Sequence, residues 1–85
     1  MMFELHFSHQ ATKFLKNCSS EISQRIVKKI VILKEIPVPH DAKRIVGEQR
    51  VFRLRIGNYR IVYEIDYESN FILIVAVDKR SRVYQ

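Results

Sequence analysis

Gly57-Asn58 sits midway along a run in which apolar and charged residues alternate, and this run leaves the chain little choice of fold. Before it, Phe52, Leu54 and Ile56 alternate with Arg53 and Arg55; after it, Tyr59, Ile61, Tyr63 and Ile65 alternate with Arg60, Val62 and Glu64. A period of two is that of a half-buried strand, and a glycine-asparagine pair between two such strands closes a tight turn. A two-residue turn puts Ile56 opposite Tyr59, Arg55 opposite Arg60 and Arg53 opposite Val62. Facing residues share a side of the sheet, so Arg53, Arg55 and Arg60 stand together while Phe52, Leu54, Ile56, Ile61 and Tyr63 occupy the reverse. That reverse side needs a cover of helices.

The first half of the chain supplies them. Phe3, Leu5 and Phe7 alternate with Glu4 and His6 in a first strand over Met2 to Phe7. Ser8 can cap a short helix in which Ala11, Phe14, Leu15 and Cys18 recur at helical spacing, ending near Asn17. Ser19 and Ser20 break that helix and cap a longer one, with Ile22, Ile26, Ile30 and Leu33 as its stripe, widened by Val27 and Val31. Pro37 and Pro39 stop it, because a proline removes a donor and pushes the preceding residue out of helical geometry. Residues 38 to 50 have little periodicity and read as a loop able to hold functional groups. Phe71 to Val77 is apolar on both faces, as an interior strand would be, and is expected to be the most buried. A three-residue loop Glu68 to Asn70 would set Tyr67 against Phe71 and Asp78 against Arg60, with Arg80 just beyond on the arginine side. The fold class is therefore α+β: an N-terminal strand, a helical hairpin, then three antiparallel strands packed on the helices.

With 85 residues there is room for one domain, 1–85, and one core. A single cysteine, Cys18, can form neither an internal disulfide nor a metal cluster, which suits a reducing compartment and makes the cytoplasm the expected location. No segment has the length of a membrane span or the pattern of a signal peptide. Fifteen lysines and arginines against nine acidic residues give a net charge of +6, which favours a polyanionic partner. The kind of base changes along the chain: residues 1 to 39 hold five lysines and one arginine, residues 40 to 85 two lysines and seven arginines. Arginine offers a planar fork that grips phosphate through paired hydrogen bonds, so the second half is the expected binding surface.

Like charges facing each other across strands cost up to about 1 kcal/mol, so folding gives no reason to set Arg55 against Arg60. A solvated face partnered by Glu64 and Asp66 is the plainer reading; an anion site is the one the pairing favours. His6, His9 and His40 lack metal-site spacing, and His40 is the histidine best placed for function because it lies in the loop. Tyr59 and Tyr63 fall on the core side, Cys18 reads as a small core residue, and Lys28, Lys29 and Lys34 as the solvated side of the second helix. No phosphate-binding glycine loop, Ser/His/Asp set or cysteine cluster is present.

Together Arg-Ile-Val-Gly (44 to 47), Phe-Arg-Leu-Arg-Ile-Gly-Asn-Tyr-Arg-Ile-Val-Tyr (52 to 63) and Lys-Arg-Ser-Arg-Val-Tyr (79 to 84), in this order of elements, resemble the RelE toxins of the RelE/ParE superfamily over essentially the whole chain. The resemblance implies a metal-independent endoribonuclease, without cofactor, that cuts mRNA in the ribosomal A site and contacts ribosomal RNA. It further implies silencing by a cognate antitoxin in an assembly such as a heterotetramer. Cleavage in the family is by attack of a ribose 2′-hydroxyl on the adjacent phosphate. By resemblance the catalytic residues are Arg60, Arg80 and Tyr84, the arginines neutralising the phosphate and the tyrosine stacking on a base or activating the hydroxyl. Lys43, Arg44, Arg53, Arg55, Lys79 and Arg82 would bind RNA. Arg53 and Arg55 stand where well-known members carry lysines, and arginine cannot act as a proton acceptor, so the general base falls to Tyr84 or to a carboxylate such as Glu48 or Asp41. Val46 replaces the basic residue the family places before the loop glycine, with Lys43 and Arg44 nearby to compensate. The alternatives that share the fold are a ParE-like inhibitor of DNA gyrase and an inactive relative that only binds antitoxin or operator DNA.

Overall fold

In the computed structural model, which describes residues 2–79, the chain runs β1 (Glu4–Phe7), α1 (His9–Asn17), α2 (Ser20–Ile32), β2 (Lys43–Arg44), β3 (Val51–Ile56), β4 (Tyr59–Asp66) and β5 (Phe71–Lys79). The strands form one mixed sheet in the order β1-β5-β4-β3-β2, with β1 parallel to β5 and every other pair antiparallel. The expected helical hairpin and three antiparallel strands are present. The sheet goes further than expected at its far edge, where residues read as loop contribute the two-residue strand β2.

Both helices start where the serines place them. The Ser8 hydroxyl accepts from the Ala11 amide and the Ser19 hydroxyl from the Ile22 amide, each satisfying one of the donors a helix leaves unpaired at its N-terminus. Ala11 of α1, Ile26 and Ile30 of α2 and Leu33 at its C-cap are buried against Phe52 and Leu54 of β3, Ile61, Tyr63 and Ile65 of β4, and Ile72, Ile74 and Val77 of β5. All of this core lies on one side of the sheet, so among the described residues the other side has no helical cover. The stripe of α2 is narrower than its sequence suggests. Ile22 is only partly buried and Val31 faces out, 48% exposed, because the helix touches the sheet along one line. β4 and β5 each bury three residues, so β5 is interior as expected but no more deeply set than β4.

The hairpin register agrees pair for pair with the sequence reading, from Ile56 opposite Tyr59 to Phe52 opposite Tyr63. Gly57 adopts φ +57, and Asn58 is not among the residues with positive φ, the pattern of a turn whose first central residue is left-handed. A Cβ there would also come within 3.2 Å of Arg25 Nη2.

The β4–β5 connection differs from expectation. Asp66, not Tyr67, faces Phe71, because Asp66 Oδ1 accepts from the Ser69 amide and draws Tyr67 into a four-residue loop that ends on Asn70 at φ +61. That slip alone would turn the far end of β5 over. A register shift beside Val62/Tyr63 undoes it: Tyr63 faces Ile74, Val62 faces Ala76, and Val75 is the extra residue of a bulge. Past the bulge Arg60 faces Asp78, as the sequence count had it.

Candidate nucleic-acid interface

The hairpin and its neighbours set the uncovered side of the sheet in rows. One row carries Arg55, Arg60 and Asp78 across β3, β4 and β5; the next carries Lys43, Arg53, Val62 and Ala76 from β2 to β5. Four cations thus occupy two adjacent rows, with strands about 4.8 Å apart. Neither Glu64 nor Asp66 is directly across from an arginine. Glu64 faces Val51 and Leu73, and Asp66 holds the Ser69 amide.

Arg60 is set between β3 and β5 and is enclosed there, its side chain 21% exposed. Its Nη2 lies 3.9 Å from Asp78 Oδ2, close enough for attraction but too long for a hydrogen bond. Its Nε is buried and has no hydrogen-bond partner among the described residues. A buried donor left unpaired costs about 1–3 kcal/mol, so this guanidinium is held by packing rather than by a full set of internal partners. It is therefore free to exchange its weak carboxylate contact for an anion.

Beside these rows a cleft of about 330 Å³ is lined by His40, Asp41, Lys43, Arg53 and Arg55. Its outer wall comes from the segment after α2, which three contacts hold in place. The Tyr63 hydroxyl donates to the Pro37 carbonyl at 2.8 Å, Lys29 Nζ meets Asp41 Oδ2 at 3.1 Å, and Lys43 pairs with Arg53 in the sheet. The hydrogen bond from Lys29 holds the Asp41 carboxyl below the usual carboxylate range. Burial pushes the Tyr63 phenol well above its usual range, with the charge of Asp41 adding to it. None of these three contacts was read from the sequence, which has Lys43 in a loop. Lys29 was placed on the solvated side of its helix, and nothing local links it to a residue twelve positions on.

Of the residues expected to bind RNA, Lys43, Arg53 and Arg55 come together, and Arg60, expected to be catalytic, stands beside them. Arg44 does not join them: it faces Phe52 and so leaves the sheet on the helix side. Lys79 faces Tyr59 and lines a separate cleft of about 330 Å³ with Phe14, Asn17, Cys18, Tyr59 and Asp78. Arg80, Arg82 and Tyr84 lie outside the described residues. Glu48 belongs to the loop with Gly47, Gln49 and Arg50 beside Val51, at the end of β3 far from Arg55. Among the described residues no three His, Cys, Asp or Glu side chains converge as metal ligands, and no helix is long and apolar enough to cross a membrane.

A family model described as the ParE toxin of the type II toxin-antitoxin system parDE matches residues 5–84. The putative toxin RelE1 of Methanocaldococcus jannaschii is 28% identical over 88 residues, covering 100% of this chain and 98% of its own. The mRNA interferase toxin RelE of Escherichia coli K12 is 28% identical over 83 residues, covering 96% of this chain and 87% of its own. Among solved structures, the toxin-antitoxin complex RelBE2 of Mycobacterium tuberculosis has a chain that superposes with a TM-score of 0.80 at 27% identity, over 94% of this chain and 100% of that one.

Proposed function

Because the chain belongs to the ParE toxin family of type II toxin-antitoxin systems and is a toxin of the RelE type, we propose that it is an endoribonuclease that cleaves mRNA on the ribosome. The observation that carries this reading is the pairing of Arg55 with Arg60, and of Lys43 with Arg53 in the next row, on the side of the sheet that no described helix covers. Such a surface suits a phosphodiester. In a cleavage by the neighbouring 2′-hydroxyl, negative charge builds on the phosphate oxygens as the new O–P bond forms, and fixed cations aimed at those oxygens lower the barrier. The protein then supplies no nucleophile. It supplies charge at the phosphate and proton transfers at the entering and leaving oxygens. Arg60 is the principal clamp, with Arg53, Arg55 and Lys43 steering the strand; Arg80 and Tyr84 complete the site by the family resemblance. The partner that silences it is a cognate antitoxin, as in the RelBE2 complex, and action on translated messages would put the protein in the cytoplasm.

The name of the family model favours a second reading, inhibition of DNA gyrase. Induction in cells followed by mapping of mRNA 5′ ends separates the two. Cuts within translated codons that vanish in Arg60→Ala and Arg80→Ala, with growth restored and the variants still folded, are the expected outcome. Intact messages with DNA damage would instead favour gyrase, and undiminished toxicity in both variants would remove the assigned site.

A further inference from the structure

The arginine face can hold a phosphate, yet arginine stays protonated and cannot accept the proton that the attacking hydroxyl must lose. We infer that His40 is the general base of the site. The inference rests on the nuclease reading above and gives it the residue it lacks.

His40 and Asp41 form the corner of a turn closed by the Ala42 amide donating to the Pro39 carbonyl at 2.9 Å. Its base is fixed by the Tyr63 bond to Pro37, its corner by Lys29 on Asp41, and its exit by the entry of Lys43 into the sheet. A residue on so tethered a turn is presented rather than left to wander. His40 is solvent-exposed and lines the cleft it shares with Asp41, Lys43, Arg53 and Arg55. Arg55 is also the cross-strand partner of Arg60, so the cleft that holds His40 and the row that holds the phosphate clamp share Arg55. The charged groups around the imidazole are those four cleft residues, with Lys29 of α2 behind Asp41.

Among the described residues, the nearby carboxylates are removed by place or by chemistry. Asp41 is engaged by Lys29, which lowers its basicity. Glu48 is at the wrong end of β3, and Glu64 lies in the row of Val51. Asp78 faces Arg60, but an aspartate is ordinarily ionised far below neutrality and is a weak base there. Histidine is the side chain that ordinarily changes charge between about pH 5 and 8, where a proton acceptor in translation chemistry has to work. In the step, the 2′-hydroxyl gives its proton to the imidazole as its oxygen bonds to phosphorus. The bond from phosphorus to the 5′-oxygen breaks, that oxygen takes a proton from water, and the imidazolium returns its own to solvent.

The test is single-turnover cleavage of a defined message on programmed ribosomes, across pH 5 to 8, by the full-length wild type, His40→Gln, His40→Ala with and without added imidazole, and Tyr84→Phe. Expected is a fall of about 10²-fold in His40→Gln, loss of the rise in rate with pH, and partial rescue of His40→Ala by imidazole. Melting curves and antitoxin binding like those of the wild type show that the variants are folded. A wild-type rate in His40→Gln would overturn the assignment. So would a slowed His40→Gln with an unchanged pH profile and no imidazole rescue, since that is the signature of positioning, and so would transfer of the pH dependence to Tyr84→Phe. A wild type that cuts nothing would refute the nuclease reading itself, and His40 with it.

Discussion

Tyr63 joins the core to the loop that carries the cleft, and its single hydroxyl couples the two. Its ring is fully buried and stacked on Phe52 with centroids 5.7 Å apart, while its hydroxyl holds the Pro37 carbonyl. Burial disfavours the phenolate, so the folded state holds the Tyr63 proton more tightly than the unfolded chain, where a tyrosine titrates near about pH 10. A group whose affinity for protons is raised on folding contributes fully below its unfolded value and loses that contribution as pH rises beyond it. Urea unfolding should therefore show stability falling above about pH 10, and Tyr63→Phe should flatten that fall relative to the wild type. At neutral pH the same substitution should cost about 1 kcal/mol, the net worth of one partly buried hydrogen bond. An alkaline limb of equal steepness in the variant would mean that Tyr63 does not carry it.

At the scale of elements, β5 has a strand on one side for only part of its length. β1 ends at Phe7, opposite Ile74, and beyond that point α1 takes over the role of a neighbouring strand. The Ser8 amide donates to the Ile74 carbonyl and the Ser8 hydroxyl to the Val75 carbonyl, clasping the bulge. The Gln10 side-chain amide then both donates to the Val77 carbonyl and accepts from the Val77 amide, at 3.0 Å each, as a facing residue in a ladder would. Gln10→Ala leaves two part-buried main-chain groups to find other partners, and we expect a loss of about 1–3 kcal/mol by urea denaturation. Faster hydrogen exchange at the Val77 amide should accompany it; an unchanged exchange rate there would show that the side chain is not the partner that matters. The same region marks the limit of what the sequence discloses. The β3–β4 register follows from a two-residue turn with a glycine, a local signal. The β4–β5 register depends on Asp66 capturing the Ser69 amide and on a bulge gripped by Ser8, the N-cap of α1, and neither leaves a periodic trace.

Across the whole molecule, helices cover one side of the sheet and cations gather on the other, although the net charge of +6 is spread more widely. Lys43 was read as loop, whereas the three arginines of the hairpin were legible because alternation around Gly57 fixes which side each takes. The cleft beside them was not, since its far wall depends on Lys29 reaching Asp41 and Tyr63 reaching Pro37, contacts between elements distant in sequence. Placement, rather than total charge, should then govern how the protein holds RNA. Each phosphate neutralised on a single strand adds about −0.7 to the slope of log affinity against log salt, because bound counterions are released. Arg53→Gln and Lys28→Gln remove the same unit of charge, one from the cleft and one from the exposed outer side of α2. With a 2′-O-methyl RNA, which lacks the attacking hydroxyl and stays uncut, fluorescence anisotropy over a salt series reads the slope directly. Arg53→Gln should make it shallower by about 0.7 and Lys28→Gln should leave it unchanged. Equal changes in the two variants would mean that RNA is held by the field of the whole protein and not by the open side of its sheet.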